Sequence, residues 1–415
     1  MKVLWLSNKV LSDKDDGSTG TWLVAMAHSL VATGEVELCN VSMGKVKVPT
    51  RQDAGPCRQW IVPGIKTGRA GLPPARIVAG IISVVNDVAP DLVHVWGTEN
   101  YWGLLTARGL IQTRALLEIQ GLKEPYSRVF AGGLTELEQR ACIGIKEIIK
   151  SRNIASKRSA FERWSRFERE IIAGHSFVTA QSPWVEAWVK VSNASARIFH
   201  VELALREPFY SAKPWRPQNA SVIFCSAAYP VPYKGIHNAV RALAILSRQV
   251  PNARLRIAGA LKSRGIRQDG YIAWVDRLAA SLHVADKIDW LGALSATEIV
   301  AELQNCSVML IPSHCETYCV ALAEALYLGV PAVSAHTGGT VWLARDEESA
   351  LFYSPGDEVM CAYQLERILT DQGLAERLSR NARDISLVRN NSQSIVNNQL
   401  KIYRQVIEQS KKDIV

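Results

Sequence analysis

The stretch that decides the fold is residues 308–340, which read VMLIPSHCETYCVALAEALYLGVPAVSAHTGGT. Its apolar start at 308–312 predicts a buried strand, and residues 319–328 predict a helix. Gly329 and Pro331 predict where that helix ends, because glycine favours a helix C-terminus and proline cannot continue a helix. The apolar residues that follow predict the next strand. Strand, helix and strand in this order are typical of a parallel sheet.

The same alternation continues on both sides of this stretch. Short apolar runs predict strands at 2–7, 36–41, 60–62, 91–96, 115–120, 176–180, 221–225, 254–259 and 287–292. Prolines within 206–220 interrupt the pattern and predict a linker. We therefore expect an α/β protein with two Rossmann-like parallel-sheet domains that face each other across a cleft. The expected divisions are a first domain at 1–205, the linker at 206–220, a second domain at 221–390, and a C-terminal helix at 391–415 that crosses back to the first domain.

Two carboxylates flank the start of the helix predicted at 319–328. Glu316 lies in the preceding loop, at the strand end where open α/β sheets bind ligands, and Glu324 lies within the helix. The free amide groups at the helix start, those of Tyr318, Cys319 and Val320, favour an anion such as phosphate. A carboxylate accepts hydroxyl groups well, because both of its oxygens are acceptors. The arrangement can hold a sugar nucleotide, with its diphosphate at the amides and its hydroxyl groups at the carboxylates.

This segment resembles the signature of the retaining glycosyltransferases of family 4, the glycosyl transferases group 1, which have the GT-B fold. The matching positions are Pro312-Ser313, Glu316, Glu324-Ala325, Gly329-Val-Pro331 and Gly338-Gly339. The resemblance covers roughly residues 221–405 and includes Lys234-Gly235, and a match in several parts is more specific than one motif. It implies transfer of a hexose-type sugar from a UDP- or GDP-sugar to an acceptor hydroxyl with retention of configuration. Bacterial polysaccharide, glycolipid or natural-product glycoside synthesis are the implied settings.

The resemblance also implies roles for residues of the second half. Glu316 is expected to bind the hydroxyl groups of the transferred sugar, and Lys234 to contact the donor diphosphate during catalysis. Glu324 is expected to bind the ribose. Gly259 and Leu294, which follow the strands predicted at 254–259 and 287–292, are expected to line the pocket for the nucleotide base.

The first half resembles the family more loosely. Its loop at 17–20 follows the first strand, where the family has a glycine-rich loop near the sugar, so Gly17 and Gly20 are expected to contact donor or acceptor. Gln120 lies where many members have a histidine that contacts the donor sugar, and a bacterial subgroup has Gln-Gly there, as Gln120-Gly121 do here. We expect Gln120 to be a third catalytic residue.

No cofactor and no metal are expected. Lys234 and the helix start would neutralise the leaving diphosphate, and stabilising that charge is the main catalytic work. Asp13-Lys-Asp15 has the spacing of a metal motif from a different transferase fold, but it lies far in sequence from the donor segment. We interpret it as a solvated loop, because short motifs often match by accident.

Two alternative functions stay open. Ala228 and Tyr229 stand where most family members have an arginine that clamps the diphosphate, and Thr317-Tyr318-Cys319 replaces the usual Gly-Phe-Gly. These departures motivate a degenerate protein that serves as a non-catalytic binding subunit. The other alternative is a sugar-nucleotide epimerase or a sucrose-type synthase on the same fold.

Charge and hydropathy limit the partners and the location. The chain has 415 residues and a net charge of +9, and basic side chains concentrate at 140–169. No nucleic-acid motif accompanies them, so nucleic acid is disfavoured. One interpretation of 140–169 is solvated helices; the other is docking on anionic lipid, because Ile145, Ile148 and Ile149 interleave with the charges. Without a signal peptide or an apolar span of 18 residues, we expect a cytoplasmic protein, or one held at the inner face of a membrane.

Overall fold

The computed structural model describes residues 1–12, 20, 22–227, 229–259 and 268–412. The first sheet lies in the N-terminal half, with the strand order β3-β4-β2-β1-β5-β6-β7-β8. Its strands pair in parallel, except that β3 is antiparallel to β4. They are β1 (Lys2–Leu6), β2 (Glu37–Gly44), β3 (Thr50–Ala54), β4 (Cys57–Pro63), β5 (Leu92–Trp96), β6 (Ala115–Glu118), β7 (Phe177–Ala180) and β8 (Arg197–His200).

The second sheet lies in the C-terminal half and is parallel throughout the described residues, with the order β11-β10-β9-β12-β13-β14. Its strands are β9 (Val222–Ser226), β10 (Arg254–Ala258), β11 (Ile288–Gly292), β12 (Val308–Ile311), β13 (Ala332–Ala335) and β14 (Leu351–Tyr353). Strands such as β12 and β13 are buried along their whole length, because helices cover both faces of a parallel sheet. The expected class, two parallel-sheet α/β domains, is confirmed.

Helices connect the strands in both halves. Those of the first half are α1 (Trp22–Ala32), α2 (Ala75–Val88), α3 (Trp102–Ala107), α4 (Lys123–Arg128), α5 (Glu136–Ala141), α6 (Ile145–Lys150), α7 (Ile154–Ala173) and α8 (Pro183–Ser192). Those that follow are α9 (Glu207–Ser211), α10 (Ile236–Leu246), α11 (Gly270–Ser281), α12 (Ala296–Asn305), α13 (Val320–Leu328), α14 (Thr340–Leu343), α15 (Glu358–Thr370), α16 (Gln372–Arg389) and α17 (Ser392–Lys412). No described helix is long and apolar enough to cross a bilayer.

Residues 129–157 form an arm that leaves the first domain and packs on the second. Phe130, Leu134 and Cys142 of the arm are buried in the same hydrophobic cluster as β9, β10 and β12. The carbonyl of Gly132 accepts a hydrogen bond from His237 Nε2 on α10, at 2.9 Å. The arm lies within the range expected for the first domain, yet its buried side chains belong to the core of the second.

The last helix, α17, crosses back to the first domain. Its apolar face, which includes Ile395, Leu400 and Val406, is buried in the cluster that lies between α1 and the first sheet. The hydroxyl of Tyr403 accepts a hydrogen bond from Trp5 Nε1 at 3.0 Å and lies 2.8 Å from His94 Nδ1. The start and the end of the chain are therefore parts of one domain.

The segment expected as the linker, 206–220, packs on the second domain. It contains α9, and its Phe209 and Trp215 are buried in the second domain's core. Trp215 donates its indole Nε1–H to the carbonyl of Cys306 at 2.7 Å. Proline breaks the sheet pattern here as expected, but the side chains still contribute to a core.

The strands β3, β8 and β14 are absent from the sequence-based expectation. β3 reads TRQDA, which has no large apolar residue, and residues 50–53 of this edge strand are exposed to solvent. β8 is the opposite edge of the same sheet and has exposed ends, and β14 has only three residues. Edge strands and very short strands lack the buried apolar run that indicates a central strand.

Candidate active site

Glu316 and Lys234 form an ion pair at the C-terminal edge of the second sheet. Glu316 follows β12, and Lys234 follows β9, the neighbouring strand. Lys234 Nζ donates to Glu316 Oε1 at 2.6 Å, and both side chains are largely buried. Burial opposes the charge of Lys234, but the Glu316 carboxylate outweighs it and raises the pKa of the ammonium group above its usual value. Two residues that are 82 positions apart in sequence therefore meet at one strand edge.

Two glycine turns make this close packing possible. Gly235 has a φ of 71°, and a Cβ atom there would collide with the carbonyl oxygen of Pro312. Gly338 has a φ of 50°, and a Cβ atom there would collide with the carbonyl oxygen of Glu316. The amide of Gly339 donates to that same carbonyl at 2.9 Å. The glycines of the motif hold the backbone around Glu316 against two neighbouring loops.

Glu324, on α13, is buried and bound by an arginine that the sequence analysis did not identify. Arg206 Nε and Nη2 donate to Glu324 Oε1 and Oε2 at 2.6 and 2.7 Å, which is a bidentate pair. Burial raises the pKa of Glu324, while Arg206 opposes that rise. The Arg206 guanidinium also lies 5.1 Å from the ring centre of Phe209, which orients it. Sequence spacing offers no signal for this pair, because 118 positions separate its members.

The helix start expected to bind phosphate is at Val320, and Cys319 before it has a left-handed φ of 79°. No side chain caps this helix start. The side chain of Tyr318 is buried, donates to Glu202 Oε2 at 2.9 Å and accepts from Asn390 Nδ2 at 3.1 Å. Tyr318 thus connects the signature loop to the two places where the chain crosses between domains.

The residues expected at the base pocket lie at the ends of β10 and β11. Gly259 follows β10 with a φ of 138°, and its amide donates to the carbonyl of Gly292 at 2.7 Å. Leu294 lies between β11 and α12, partly buried against the second domain's core. The structure places both residues at the same edge of the sheet as Glu316.

In the first domain, Gln120 follows β6 and is partly buried, and its Nε2 atom has no hydrogen-bond partner among the described residues. Gly20 lies at the turn before α1 with a φ of 80°. Gly17 and Asp13-Lys-Asp15 lie outside the described residues. Within the described part of the chain, no group of three or more His, Cys, Asp or Glu side chains is placed to hold a metal ion.

Tyr126, on α4, connects the first domain to the signature loop. Its hydroxyl accepts the amide of Thr317 at 3.2 Å and lies 3.3 Å from Thr317 Oγ1. Its ring packs on Tyr233 with a centroid separation of 5.0 Å. The sequence analysis missed Tyr126; only its position six residues after Gln120 could have suggested it.

The basic segment at 140–169 has two different surfaces. Lys146 and Lys157 both reach the carboxylate of Asp269, at 3.2 and 3.6 Å, and so bind the arm to α11. The other surface carries exposed apolar side chains, with Ile148 and Ile149 69% and 72% exposed. We call this surface the isoleucine patch and define it as Ile145, Ile148 and Ile149.

A comparison with protein-family models matches residues 211–385 to the family described as glycosyl transferases group 1. The second domain is thus similar to glycosyl transferases group 1 over residues 211–385. Glycogen synthase of Mycobacterium tuberculosis is 31% identical over 150 residues, which are 36% of this chain and 34% of that protein. The chain thus matches about a third of the length of the relatives that it resembles in sequence.

Comparison with solved structures covers nearly the whole chain. The structure of sucrose-phosphate synthase from Thermosynechococcus elongatus has a TM-score of 0.75 at 18% identity, and covers 98% of this chain and 99% of that one. HepE of Anabaena, in complex with UDP-glucose, has a TM-score of 0.68 at 14% identity, and covers 99% of this chain and 100% of that one. At such identities the likeness concerns the fold, and the chain has the GT-B fold.

Proposed function

We propose that this protein is a glycosyltransferase that transfers a hexose from a nucleoside diphosphate sugar to an acceptor hydroxyl with retention of configuration and without a metal. The observation that supports this most is the Lys234–Glu316 pair beside the start of α13. A cation and an uncapped helix start favour a diphosphate, and the adjacent carboxylate accepts sugar hydroxyl groups. The likeness to HepE, which was solved with UDP-glucose, supports a UDP-sugar as donor.

Glu324 can bind the ribose even though Arg206 holds it. A carboxylate has about four lone-pair sites, and Arg206 uses one on each oxygen. The remaining sites accept the two vicinal ribose hydroxyls, while Arg206 fixes the plane of the carboxylate. In this arrangement Arg206 is a positioning residue and Glu324 contacts the donor.

During transfer, negative charge develops on the leaving diphosphate. The Lys234 ammonium and the first amides of α13 stabilise that charge, which is the largest contribution that such a site makes to the rate. Glu316 holds the hexose through the oxygen that Lys234 does not occupy. Closure of the domains around the donor excludes water and so limits its hydrolysis.

Calorimetric titration with UDP-glucose, UDP-galactose and GDP-mannose tests the proposal. We expect at least one donor to bind. Glu324→Ala should weaken the affinity for that donor by about tenfold or more, since hydrogen bonds to a buried carboxylate contribute about 1.5–3 kcal/mol to binding. Glu376→Ala, at a half-exposed position of α16, is the control. If no donor binds, the result favours the alternative function, a non-catalytic subunit that binds another ligand. Product analysis with the bound donor separates a glycoside from a free epimer or sucrose.

We also propose that the isoleucine patch docks on an anionic membrane surface. Its apolar side chains lie beside the exposed Arg140, Lys150 and Arg152, and this combination matches an interface of acyl chains and anionic headgroups. Docking would hold the enzyme at the cytoplasmic face of a membrane, close to a lipid-linked acceptor.

Cosedimentation with vesicles tests this docking. We expect binding to vesicles that contain phosphatidylglycerol and no binding to pure phosphatidylcholine. The double variant Ile148→Ser/Ile149→Ser should lose binding, whereas Val388→Ser, at an equally exposed valine of α16, should not. Equal sedimentation of both variants would contradict docking through the patch.

A further inference from the structure

Glu99 occupies a space that two glycines create at the C-terminal edge of the first sheet. It follows β5, and its carboxylate lies between Gly97 and Gly121. A Cβ atom on Gly121 would lie 2.6 Å from Glu99 Oε1, and a Cβ atom on Gly97 would collide with Glu99 Oε2. Gly97 also has a left-handed φ of 91°. Both glycines are therefore required for the carboxylate to lie where it does.

Two complementary polar atoms in this space have no hydrogen-bond partner among the residues that the structure describes. They are the acceptor Glu99 Oε2 and the donor Gln120 Nε2, and both are shielded from solvent. The amide of Gln120 is close, since its Oε1 lies 3.3 Å from the position of a Cβ atom on Gly97. An unmade hydrogen bond of a buried group is unfavourable, so such groups call for an explanation.

The surroundings of Glu99 leave its carboxyl without an ion pair in the described structure. Burial raises the pKa of Glu99 to about 7, and Glu168 adds to the rise, while backbone amides and Lys123 oppose it. Glu168 itself is committed to the amides of Lys123 and Glu124 at the start of α4, at 2.7 and 3.0 Å. The neighbouring carboxylate thus has a structural task, whereas Glu99 Oε2 has none.

The pair also lies on the correct side of the cleft for a sugar. Gln120 and Gly121 lead directly into α4, whose Tyr126 contacts Thr317, the residue after Glu316. A hydroxyl group both donates and accepts, so one hydroxyl satisfies both Glu99 Oε2 and Gln120 Nε2. We propose that Glu99 and Gln120 together bind one hydroxyl group of the transferred hexose. This inference rests on the proposed function and adds Glu99 as a residue that determines sugar specificity.

Titration calorimetry with UDP-glucose and with UDP tests the role of Glu99. We expect Glu99→Ala to weaken the affinity for UDP-glucose by about tenfold or more and to leave the affinity for UDP unchanged, because UDP lacks the hexose. Glu186→Ala, an exposed glutamate of the same domain, should change neither affinity. Glu99→Gln keeps the size of the side chain and should weaken UDP-glucose by a smaller factor, which keeps the test valid if the alanine variant does not fold.

UDP-deoxyglucose analogues sharpen the result. One analogue lacks the hydroxyl group that Glu99 binds. The wild-type protein should bind this analogue as weakly as Glu99→Ala binds UDP-glucose, and Glu99→Ala should bind the analogue with the same affinity as the wild type does. Equal loss of UDP and UDP-glucose affinity, or no loss of either, would overturn the role of Glu99. If the wild-type protein binds UDP-glucose and both Glu99 variants bind it with the same affinity, this inference alone is refuted. A wild-type chain that binds none of the donors in the earlier panel refutes the proposed function and this inference with it.

Discussion

The buried carboxylates of the two domains are treated in opposite ways. In the second domain, Glu316 and Glu324 are each held by a cation, Lys234 or Arg206, at 2.6 Å. In the first domain, the carboxyl groups of Glu99 and Glu168 are buried without an ion pair among the described residues, and burial raises the pKa of each to about 7. A third carboxyl, that of Glu118, is likewise buried and has its pKa raised to about 7.

This difference separates two ways of preparing a polar site. A bound cation fixes the position of a carboxylate before a ligand arrives. Burial without a cation moves the pKa of a carboxyl group toward neutral pH, as it does for Glu99, Glu118 and Glu168. The two ion pairs of the second domain are therefore preorganised, whereas these three carboxyl groups make the first domain respond to pH.

Breaking a cation pair should have the largest effect. We expect Arg206→Ala to lower the free energy of unfolding by about 3–5 kcal/mol, because it leaves the Glu324 carboxylate buried without its partner. Urea unfolding measures this change. Arg345→Ala, which removes an exposed pair with Glu348, should cost less than about 1 kcal/mol. If the two variants lost similar amounts of unfolding free energy, the buried pair would not stabilise the protein more than an exposed one.

Removing an unpaired carboxyl should have a pH-dependent effect of intermediate size. Folding raises the pKa of Glu118 from 4.5 to about 7 through burial, against hydrogen bonds from Thr179 and Gln181. A carboxyl of this kind costs nothing below the unfolded pKa; its cost grows as the pH rises from 4.5 to about 7 and stays constant above that. The stability of Glu118→Gln relative to wild type should therefore increase by about 2 kcal/mol from pH 5 to pH 8.

Denaturant unfolding at the two pH values measures this gain. His94, whose Nε2 lies 4.0 Å from Glu118, does not compensate the charge, since burial lowers its pKa to about 3 and it stays neutral. Glu186→Gln, at an exposed site, should show no difference between the pH values. A constant difference for Glu118→Gln would mean that Glu118 does not titrate in this range.

Weakening the contact between the halves should have the smallest effect. Tyr126→Phe removes the hydrogen bonds to Thr317 but keeps the packing on Tyr233. We therefore expect the free energy of unfolding, measured by urea unfolding, to fall by about 1 kcal/mol. Tyr363→Phe, at an exposed tyrosine of α15, is the control. If the loss matched that of the control, the contact would not contribute to joining the domains.

The fold could be predicted from sequence because its central strands are buried on both faces. Runs such as 308–312 and 92–96 consist largely of apolar residues for that reason, and turn residues separate them from the helices. The arm at 129–157 could not be assigned to the second domain in this way. Its apolar residues look the same whichever core they enter, and only tertiary packing decides which.

The second-domain part of the site could be located because its backbone geometry requires particular residues. Gly235 and Gly338 approach carbonyl groups too closely for any side chain, so the motif is visible in the sequence. Arg206 and Glu99 left no such mark of their own. Glu99 could have been suspected from the glycines at 97 and 121, but only after knowing that β5 and β6 are neighbours.

The return of α17 to the first domain has a practical consequence for dividing the protein. A fragment that stops at residue 205 would expose the groove that Ile395, Leu400 and Tyr403 fill, and would leave the indole of Trp5 without its acceptor. A peptide spanning 391–412, added in trans, should cover that groove again. It would not cover the apolar side chains of the arm at 129–157, which need the second domain. The first domain therefore depends on a segment from the far end of the chain and on its neighbour.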